Sequence, residues 1–217
     1  NEFQEAAQVP LMIAMDAEWG LAMRLDSVYA FPWNMTLGAL KDNVLVEQAG
    51  KRIAQHCKRL GVHIDFAPDI DINTNPQNPI IGNRSFGESK FNVAQKGVAF
   101  TKGMQSVGVL ACGKHFPGHG DTEKDSHKTL PTVSFSRERL ESTEFFPFQK
   151  LISAGVASLM VGHLNVPALD EGKPASISYK IVSGIIKQQL GFQGLIFSDA
   201  LGMKGVASGF TGLFSRE

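Results

Sequence analysis

The sequence predicts an α/β fold whose parallel sheet is closed into a (β/α)8 barrel of the TIM type. Apolar runs alternate with helical patterns along the chain, which is the order typical of parallel βαβ units. The runs are continuously apolar, as expected for strands covered on both faces. Each run also ends in polar or charged residues, and the carboxyl ends of barrel strands form one rim where chemistry takes place.

Five apolar runs are predicted to be strands. They cover residues 9–14, 63–70, 107–112, 157–164 and 194–197. The polar residues at their ends are, in the same order, Asp16, then Asp69 and Asp71, then Lys114 and His115, then His163, and finally Asp199. A doubly wound sheet, the alternative, needs such residues only near its switch point. The even spread over all five ends favours the barrel.

Helical patterns separate these runs. In the helix predicted over 40–60, every fourth residue is apolar and is expected to face the core. These residues are Leu45, Ala49, Ile53 and Cys57. A second helix follows Ser89. Ser136 and Ser178 are expected to be N-caps of two later helices, and Pro147 is expected to break or restart the first of these two.

The number of strands falls short of a whole barrel, which has eight strands in about 250 residues. The 217 residues hold five strand patterns, so the prediction is about five of eight βα units. The first strand and the last two would be missing, and residues 1–217 would form one partial domain. Because open sheet edges are a liability, we expect the rest of a longer chain to supply the missing strands.

Composition excludes several classes of protein. Hydrophobic residues make up 43% of the chain, and 21 basic residues balance 21 acidic ones. A neutral chain of this kind is not attracted to nucleic acid or to an anionic membrane. No apolar run reaches the ~18 residues of a membrane span. Cys57 and Cys112 are expected to be buried free thiols, which do not fix the redox compartment.

Two groups of residues are candidates for proton and nucleophile chemistry. Asp199 at the last strand end is either functional or the N-cap of the segment that follows, and its position alone does not decide. Asp125 and His127 place a carboxylate two residues from an imidazole, which could make a general acid or base near neutral pH. A surface turn in which Asp125 bonds its own backbone is the structural alternative.

Other rim residues are candidates for holding a polar substrate. Lys114 and His115 could donate hydrogen bonds to hydroxyl groups, or could form an ion pair with a neighbouring carboxylate. Arg24 and Arg84 could do the same, although a lone arginine is usually solvated at the surface. We expect His119 to have a structural or supporting role.

A metal site is the weaker alternative for this rim. Its candidate ligands are His115, His119, His127, His163 and Asp199, which are residue types found in metal-dependent barrel hydrolases. Against it, no strand carries a His-x-His pair that would place two imidazoles on one side. The sequence therefore predicts neither a metal nor another cofactor.

Several segments together resemble family 3 glycoside hydrolases, and in particular their bacterial β-N-acetylglucosaminidase branch. The signature is Lys-His-Phe-Pro-Gly-His-Gly at 114–120 followed by Asp-Ser-His at 125–127. The segment 197–203, Phe-Ser-Asp-Ala-Leu-Gly-Met, resembles the nucleophile region of that family. Matching segments in the same order are Asp-Ala-Glu-Trp-Gly at 16–20, Phe-Ala-Pro at 66–68 and Arg-Ser-Phe at 84–86. Trp19 and Ala200 depart from the usual pattern, which often has glycine and an acidic residue there.

The resemblance implies a role for each candidate. It implies that Asp199 is the nucleophile and that His127, oriented by Asp125, is the acid/base. The residues it implies for binding the terminal sugar are Asp16, Arg24, Arg84, Lys114 and His115. It also implies the TIM-like barrel and a bacterial protein of the periplasm or cell envelope, with the cytoplasm as the alternative.

The implied activity is that of a retaining exo-β-N-acetylglucosaminidase, with peptidoglycan- or chitin-derived sugars as partners. Phosphorolysis of the same bond is an alternative, because a histidine acid/base repels an incoming anion less than a glutamate does. A β-glucosidase-type specificity is another. A metal-dependent hydrolase and a non-catalytic sugar-binding chain are the remaining hypotheses.

Overall fold

Five strands form one parallel sheet in the computed structural model, which describes residues 2–122 and 130–203. Their spatial order, β1-β2-β3-β4-β5, follows the chain. The strands are β1 (Ala14–Met15), β2 (Ile64–Asp65), β3 (Leu110–Phe116), β4 (Ser158–Val161) and β5 (Leu195–Ser198). This arrangement confirms the α/β class and the sequential order of a TIM-type barrel.

Helices lie between the strands. They are α1 (Glu2–Ala6), α2 (Asn34–Gly38), α3 (Asn43–Arg59), α4 (Lys90–Gln105), α5 (Arg137–Arg139), α6 (Phe145–Ser153) and α7 (Lys180–Gln189). The hydrogen bonds of α7, and of the turn Leu140–Glu144 between α5 and α6, are of the π type. Short 3-10 turns occur at Leu21–Met23, Gly82–Arg84 and Ala175–Ile177.

The sheet is strongly curved, and one aromatic contact shows it. Three strand spacings of ~4.8 Å would separate β2 from β5 by roughly 14 Å in a flat sheet. Phe66 directly follows β2 and Phe197 lies in β5, yet their ring centroids are only 5.2 Å apart. The two rings therefore meet inside a curved wall, as side chains do in the interior of a barrel.

On the outside of the wall, α3 and α4 touch at backbone level. A Cβ atom added to Gly50 would lie 2.4 Å from the carbonyl oxygen of Phe100, and one added to Gly103 would lie 2.0 Å from that of Glu47. The two glycines thus allow a contact that any side chain would prevent. This contact fixes α4 over β3, whose rim residues are described below.

Two of the predicted strands are much shorter than expected. Residues 9–13 are exposed and lie outside the sheet; Val9 is 75% exposed. Leu11 is instead bonded to the side chain of Gln4. Ile13 is the residue of this run that reaches β2: its carbonyl oxygen accepts the N–H groups of His63 and Ile64. Only Ile64–Asp65 of the run 63–70 is regular strand; beyond it the pairing with β3 is irregular and continues through the Ala67 carbonyl and an isolated bridge between Asp69 and Lys114.

The helical predictions hold with one correction. Ser136 and Ser178 accept hydrogen bonds from the backbone N–H groups of Arg139 and Ile181, as N-caps do. The helix restarts at Phe145, so that Pro147 lies in its first turn. Leu45 was expected in the core but is 48% exposed, because α3 turns Val46 inward instead.

Two further expectations concern burial and membranes. Cys57 and Cys112 are buried free thiols, as predicted. Burial raises the pKa of each thiol to about 12, so neither forms a reactive thiolate near neutral pH. Of the helices within residues 2–122 and 130–203, none combines the length and apolarity that crossing a bilayer requires.

The glycine contact predicts the response of stability to one methyl group. Gly103→Ala would push α3 and α4 apart and should lower the free energy of unfolding by about 3 kcal/mol. Gly184→Ala in α7 is the matched control, because a Cβ there meets no atom within 4 Å. Its stability should stay the same or rise by up to ~1 kcal/mol. Urea unfolding followed by circular dichroism measures both; equal stabilities would contradict this packing.

Candidate active site

The carboxyl ends of the strands gather the polar side chains at one rim, as predicted. Asp16 and Glu18 follow β1, and Asp69 and Asp71 follow β2. Lys114 and His115 lie near the carboxyl end of β3, His163 follows β4 and Asp199 follows β5. Most of these side chains are buried, so their charges must be balanced within the site.

Lys114 is the central cation of the rim. Only 2% of its side chain is exposed, and its Nζ lies 2.8 Å from both Asp16 Oδ1 and Glu18 Oε1. Burial acts to lower the pKa of Lys114, but these two carboxylates outweigh burial and raise it above its usual value. The ammonium is therefore permanently charged and ties β3 to the loop after β1.

Arg84 holds the same carboxylate from another direction. Its Nε and Nη2 atoms bind the two oxygens of Glu18 at 3.0 and 2.8 Å, in the forked geometry that arginine favours. The side chain of Asn34 donates to the Arg84 carbonyl at 2.8 Å, which fixes the backbone of this loop. Burial acts to raise the pKa of Glu18, but Lys114 and Arg84 together hold it well below its usual 4.5.

Asp71 organises the turn after β3. Its Oδ2 lies 2.7 Å from His115 Nδ1, and its Oδ1 accepts the backbone N–H of His119 at 2.7 Å. Burial acts to raise the pKa of Asp71, but these hydrogen bonds lower it, and Asp71 in turn raises the pKa of His115 against the effect of burial. Asp71 and His115 thus form a buried ion pair. The ring of His119 bonds Thr122 at 2.6 Å.

Asp69 behaves differently from its neighbour. Burial, and then the nearby charge of Asp71, raise its pKa to about 7. Two carboxylates so close in a buried site cannot both ionise freely, and the one with the stronger partners keeps the charge. The Asp69 carboxylate still has Arg84 Nη2 at 3.6 Å. Among the described residues that follow the strand ends, Asp69 is therefore the carboxyl group that its surroundings drive toward the neutral form.

Asp199 lies at the end of β5, and its side chain is partly exposed to the open rim. Its backbone N–H donates to Val161 in β4 at 3.0 Å. Its Oδ1 accepts the N–H of Ala200 at 2.8 Å. Burial acts to raise its pKa, but the charge of His115 and this backbone N–H lower it below the usual 3.8. Asp199 is therefore an ionised and accessible carboxylate.

The remaining binding candidates lie around Asp16. Arg24 Nη2 is 2.7 Å from Asp16 Oδ2, and its side chain is about half exposed. Beside them Trp19 packs against Trp33, with ring centroids 4.1 Å apart. The residue that departs from the usual pattern thus builds an aromatic edge at this part of the rim.

Asp125 and His127, the predicted proton-transfer pair, lie outside the described residues. On either side of them in the chain, Thr122 and Leu130 line a cavity of about 370 Å³ that Asp71 also borders.

The metal alternative gains little from this geometry. Of its members, His163 is occupied by other hydrogen bonds, to Ser176 and Ala200. Among the described residues, Asp69, Asp71 and His115 do bring ligand-type atoms within 4.8 Å of one another. The Arg84 guanidinium lies 3.4 Å from His115 Nε2 and so already provides a positive charge at this cluster.

Sequence reasoning missed Glu18 and the way the network depends on it. The residue was noted in the segment 16–20, but no role was given to it. One signal was available: two carboxylates two residues apart at a strand end predict a buried cation nearby. Nothing in the local sequence indicated that Lys114 and Arg84 would share that partner.

The fold and the rim define a class: an α/β barrel whose strand ends carry an accessible ionised carboxylate beside a buried charge network. Residues 2–214 match the sequence pattern of the glycosyl hydrolase family 3 N terminal domain. The chain belongs to this family.

Known relatives and solved structures agree with this membership. Beta-hexosaminidase A of Pseudoalteromonas piscicida is 37% identical over 95% of this chain. The structure of a family 3 beta-N-acetylglucosaminidase from Paenibacillus sp. FPU-7 superimposes with a TM-score of 0.90, at 42% identity over 93% of the chain. A beta-glucoside phosphorylase, BglX, bound to 2FGlc, superimposes with a TM-score of 0.92, at 30% identity over 95%.

These relatives are longer than this chain. It spans 38% of the Pseudoalteromonas protein and 39% of each of the two solved chains. What the similarity establishes is therefore the barrel domain and its family.

The buried network predicts how stability depends on Glu18 and on pH. Glu18→Gln leaves Arg84 and Lys114 without their shared carboxylate and should lower the free energy of unfolding by about 3 kcal/mol at pH 7. Because the folded-state pKa of Glu18 lies below the unfolded value of 4.5, its contribution is complete above pH 4.5. It is lost as pH falls toward the folded-state pKa, so the gap between wild type and variant should narrow.

Urea unfolding at pH 7, 5 and 3 measures that gap. Glu141→Gln is the control, because Glu141 forms an exposed ion pair with Arg137 and should change stability by less than ~1 kcal/mol. A gap that stays constant with pH would show that the charge of Glu18 is not what stabilises the site.

Proposed function

We propose that this domain is the catalytic barrel of a retaining exo-β-N-acetylglucosaminidase. The observation that carries the proposal is the ionised, partly exposed carboxylate of Asp199 beside His115 and Lys114. A glycosidase nucleophile needs both properties, since it must be charged and must reach the anomeric carbon. Relatives that carry the names beta-hexosaminidase and beta-N-acetylglucosaminidase support the same substrate class.

The reaction follows as a double displacement. Asp199 attacks the anomeric carbon through an oxocarbenium-like transition state while the leaving oxygen receives a proton, which gives a covalent glycosyl–enzyme and a free alcohol. A water molecule then attacks the same carbon as it gives up a proton, and Asp199 leaves as a carboxylate. The two inversions together retain the configuration.

His127, oriented by Asp125, is proposed as the group that gives and then takes this proton. His127 is three residues from Leu130, which lines the cavity beside Asp71. Thr122, which precedes it in the chain, lines the same cavity and supports this role. An imidazole is suited to this role because its pKa lies near neutral pH.

The other proposed contacts hold the sugar. Asp16 is the exposed end of the buried network, and Lys114 and Arg24 fix its two oxygens. It can therefore accept hydrogen bonds from sugar hydroxyls without moving. Arg84, Lys114 and His115 would donate hydrogen bonds to the same sugar from the buried side of the rim. Their buried partners keep these three side chains rigid. Such preorganised contacts favour the transition state because no groups need to reorient.

The whole protein is proposed to act on peptidoglycan- or chitin-derived sugars, with strands from the rest of a longer chain completing the barrel. The longer relatives support this view. Peptidoglycan-derived sugars favour the periplasm or cell envelope, with the cytoplasm as the alternative.

Phosphorolysis is the second candidate, and the BglX phosphorylase structure favours it. In that reaction phosphate replaces water in the second step and the product is a sugar 1-phosphate. A β-glucosidase-type specificity is supported by the same neighbour, because its name refers to a beta-glucoside.

Replacement of the nucleophile tests the first proposal. Asp199→Asn in the full chain should lower kcat on an aryl β-N-acetylglucosaminide by at least ~10³-fold, because a neutral amide cannot form the glycosyl–enzyme. Asp26→Asn, which changes an exposed aspartate, is the control and should retain wild-type turnover. Unchanged turnover in the Asp199 variant would disprove the assignment.

The acid/base role predicts a dependence on the leaving group. His127→Ala should lose ~10²- to 10⁴-fold in kcat on substrates with basic leaving groups, where protonation is needed. The loss should be much smaller with nitrophenyl substrates, and equal losses across a series of aryl glycosides would argue against this role.

Mass spectrometry of the products with and without phosphate separates hydrolysis from phosphorolysis.

A further inference from the structure

The segment that carries Asp199 is held by a buried histidine that has no role in the mechanism above. His163 follows β4 and is fully buried. Its Nε2 lies 3.0 Å from the carbonyl oxygen of Ala200, and its Nδ1 lies 2.6 Å from Ser176 Oγ. Both ring nitrogens are thus engaged, and neither is available to a substrate.

The partners of His163 determine which nitrogen carries the proton. A backbone carbonyl can only accept a hydrogen bond, so the proton must be on Nε2. In a neutral imidazole Nδ1 is then an acceptor, and the Ser176 hydroxyl donates to it. The Ala200 carbonyl therefore places a proton on Nε2, and Ser176 holds the ring from its other nitrogen.

The hydrogen bonds continue from the imidazole to the carboxylate. The Ala200 carbonyl accepts the Nε2 hydrogen bond, and the N–H of the preceding peptide group, joined to it at the Ala200 Cα, donates to Asp199 Oδ1 at 2.8 Å. The Asp199 N–H attaches the start of this segment to Val161 in β4, and the Ala200 carbonyl is a second point of attachment, to His163. Fixing this carbonyl limits rotation of the Ala200 backbone, and the N–H group of Ala200 is the donor to Asp199.

The support for His163 is itself rigid. Ser176 lies in the 3-10 turn Ala175–Ile177, and the N–H of Ala175 donates to the Leu164 carbonyl at 2.8 Å. Gly162, on the other side of His163, donates its N–H to Phe116 in β3 at 2.9 Å. The imidazole is therefore placed by backbone hydrogen bonds on both of its flanks.

We propose that His163, held between Ser176 and the Ala200 carbonyl, is a positioning residue that aims the carboxylate of Asp199 through the backbone of Ala200. This inference rests on the proposed nucleophilic role of Asp199. The Ala200 carbonyl also accepts the N–H of Met203 at 3.0 Å. His163 is therefore not needed to satisfy this carbonyl, and its role is to restrict the direction of the carbonyl. Loss of the imidazole would leave that carbonyl bonded, but with its direction less restricted.

The first test is the kinetics of His163 variants in the full chain. His163→Ala should lower kcat ~10²-fold, the effect of a displacement of about 1 Å in a reacting group, while KM changes less than about threefold. His163→Gln can place an amide N–H near the former Nε2 and should recover about tenfold of the loss, as expected of one hydrogen bond. A His163→Ala enzyme with wild-type kcat, or a glutamine variant no better than alanine, would overturn the proposal.

A second pair of variants avoids emptying the buried site. Ser176→Ala should lower kcat severalfold, and adding it to His163→Ala should cause no further loss, because both act through one chain of hydrogen bonds. Ser178→Ala is the matched control. Its hydroxyl bonds Asp170 and caps α7 instead, so its effect on kcat should be small and should combine independently with His163→Ala. Losses that multiply for Ser176 and His163 would overturn the coupling.

Nitrogen NMR of 15N-histidine-labelled protein gives a readout that does not require activity. The Nε2 atom of His163 should carry a proton in the wild type, and it should keep that proton in Ser176→Ala because the Ala200 carbonyl can only accept. An Nε2 without a proton in the wild type would overturn the inference. If the wild type does not turn over aryl β-N-acetylglucosaminides, the proposed function fails. The spectrum still decides whether His163 donates a hydrogen bond from Nε2 to the Ala200 carbonyl.

Discussion

The rim depends on the ammonium group of Lys114 being placed between two carboxylates. An unpartnered buried ammonium is unfavourable by several kcal/mol, so the chain is stable only when Asp16 and Glu18 reach it at 2.8 Å. That requirement joins β3 to the loop after β1 across the intervening strand. Formation of the barrel wall and assembly of the binding side of the site are thus the same event.

The carboxyl groups of this rim are not each paired with a cation of their own; one keeps its charge and its neighbour is driven toward the neutral form. Asp71 keeps its negative charge because His115 and a backbone N–H bind it, and its neighbour Asp69 is driven toward the neutral form. Arg84 contacts both sides of the network through Glu18 and Asp69. The rigid, solvent-poor arrangement that results is the kind in which electrostatic stabilisation of a transition state is most effective.

Much of this architecture could be predicted from sequence, since the period of apolar residues and the polar strand ends are local properties. The limits have physical causes. The run 9–13 is apolar enough for a strand, but pairing needs a neighbouring strand, which a local pattern does not reveal. Leu45 has helical spacing, yet small rotations of α3 decide whether Leu45 or Val46 faces inward. The role of His163 depends on Ser176, thirteen residues away.

The family resemblance supplied what periodicity could not. By position alone Asp199 was as credible as an N-cap as it was as a nucleophile, and the structure shows its carboxylate accepting a hydrogen bond from the following residue. That contact is compatible with both views. Burial acts to raise the pKa of Asp199, but the charge of His115 lowers it, and this lowered pKa and the partial exposure of the carboxylate are what the proposed nucleophilic role relies on.

The distribution of the site over the strands has an evolutionary consequence. The charge network lies on the first three strands, whereas Asp199 and His163 belong to β4, β5 and the loops that follow them. Proteins that bind the same terminal sugar can therefore share one half of the wall and diversify the other half. Changes around β4 and β5 can alter the part of the rim that carries Asp199 without disturbing the buried ions, whose loss would threaten folding. Substitutions are therefore expected to be tolerated less in the loops that follow the first three strands than in those that follow the last two.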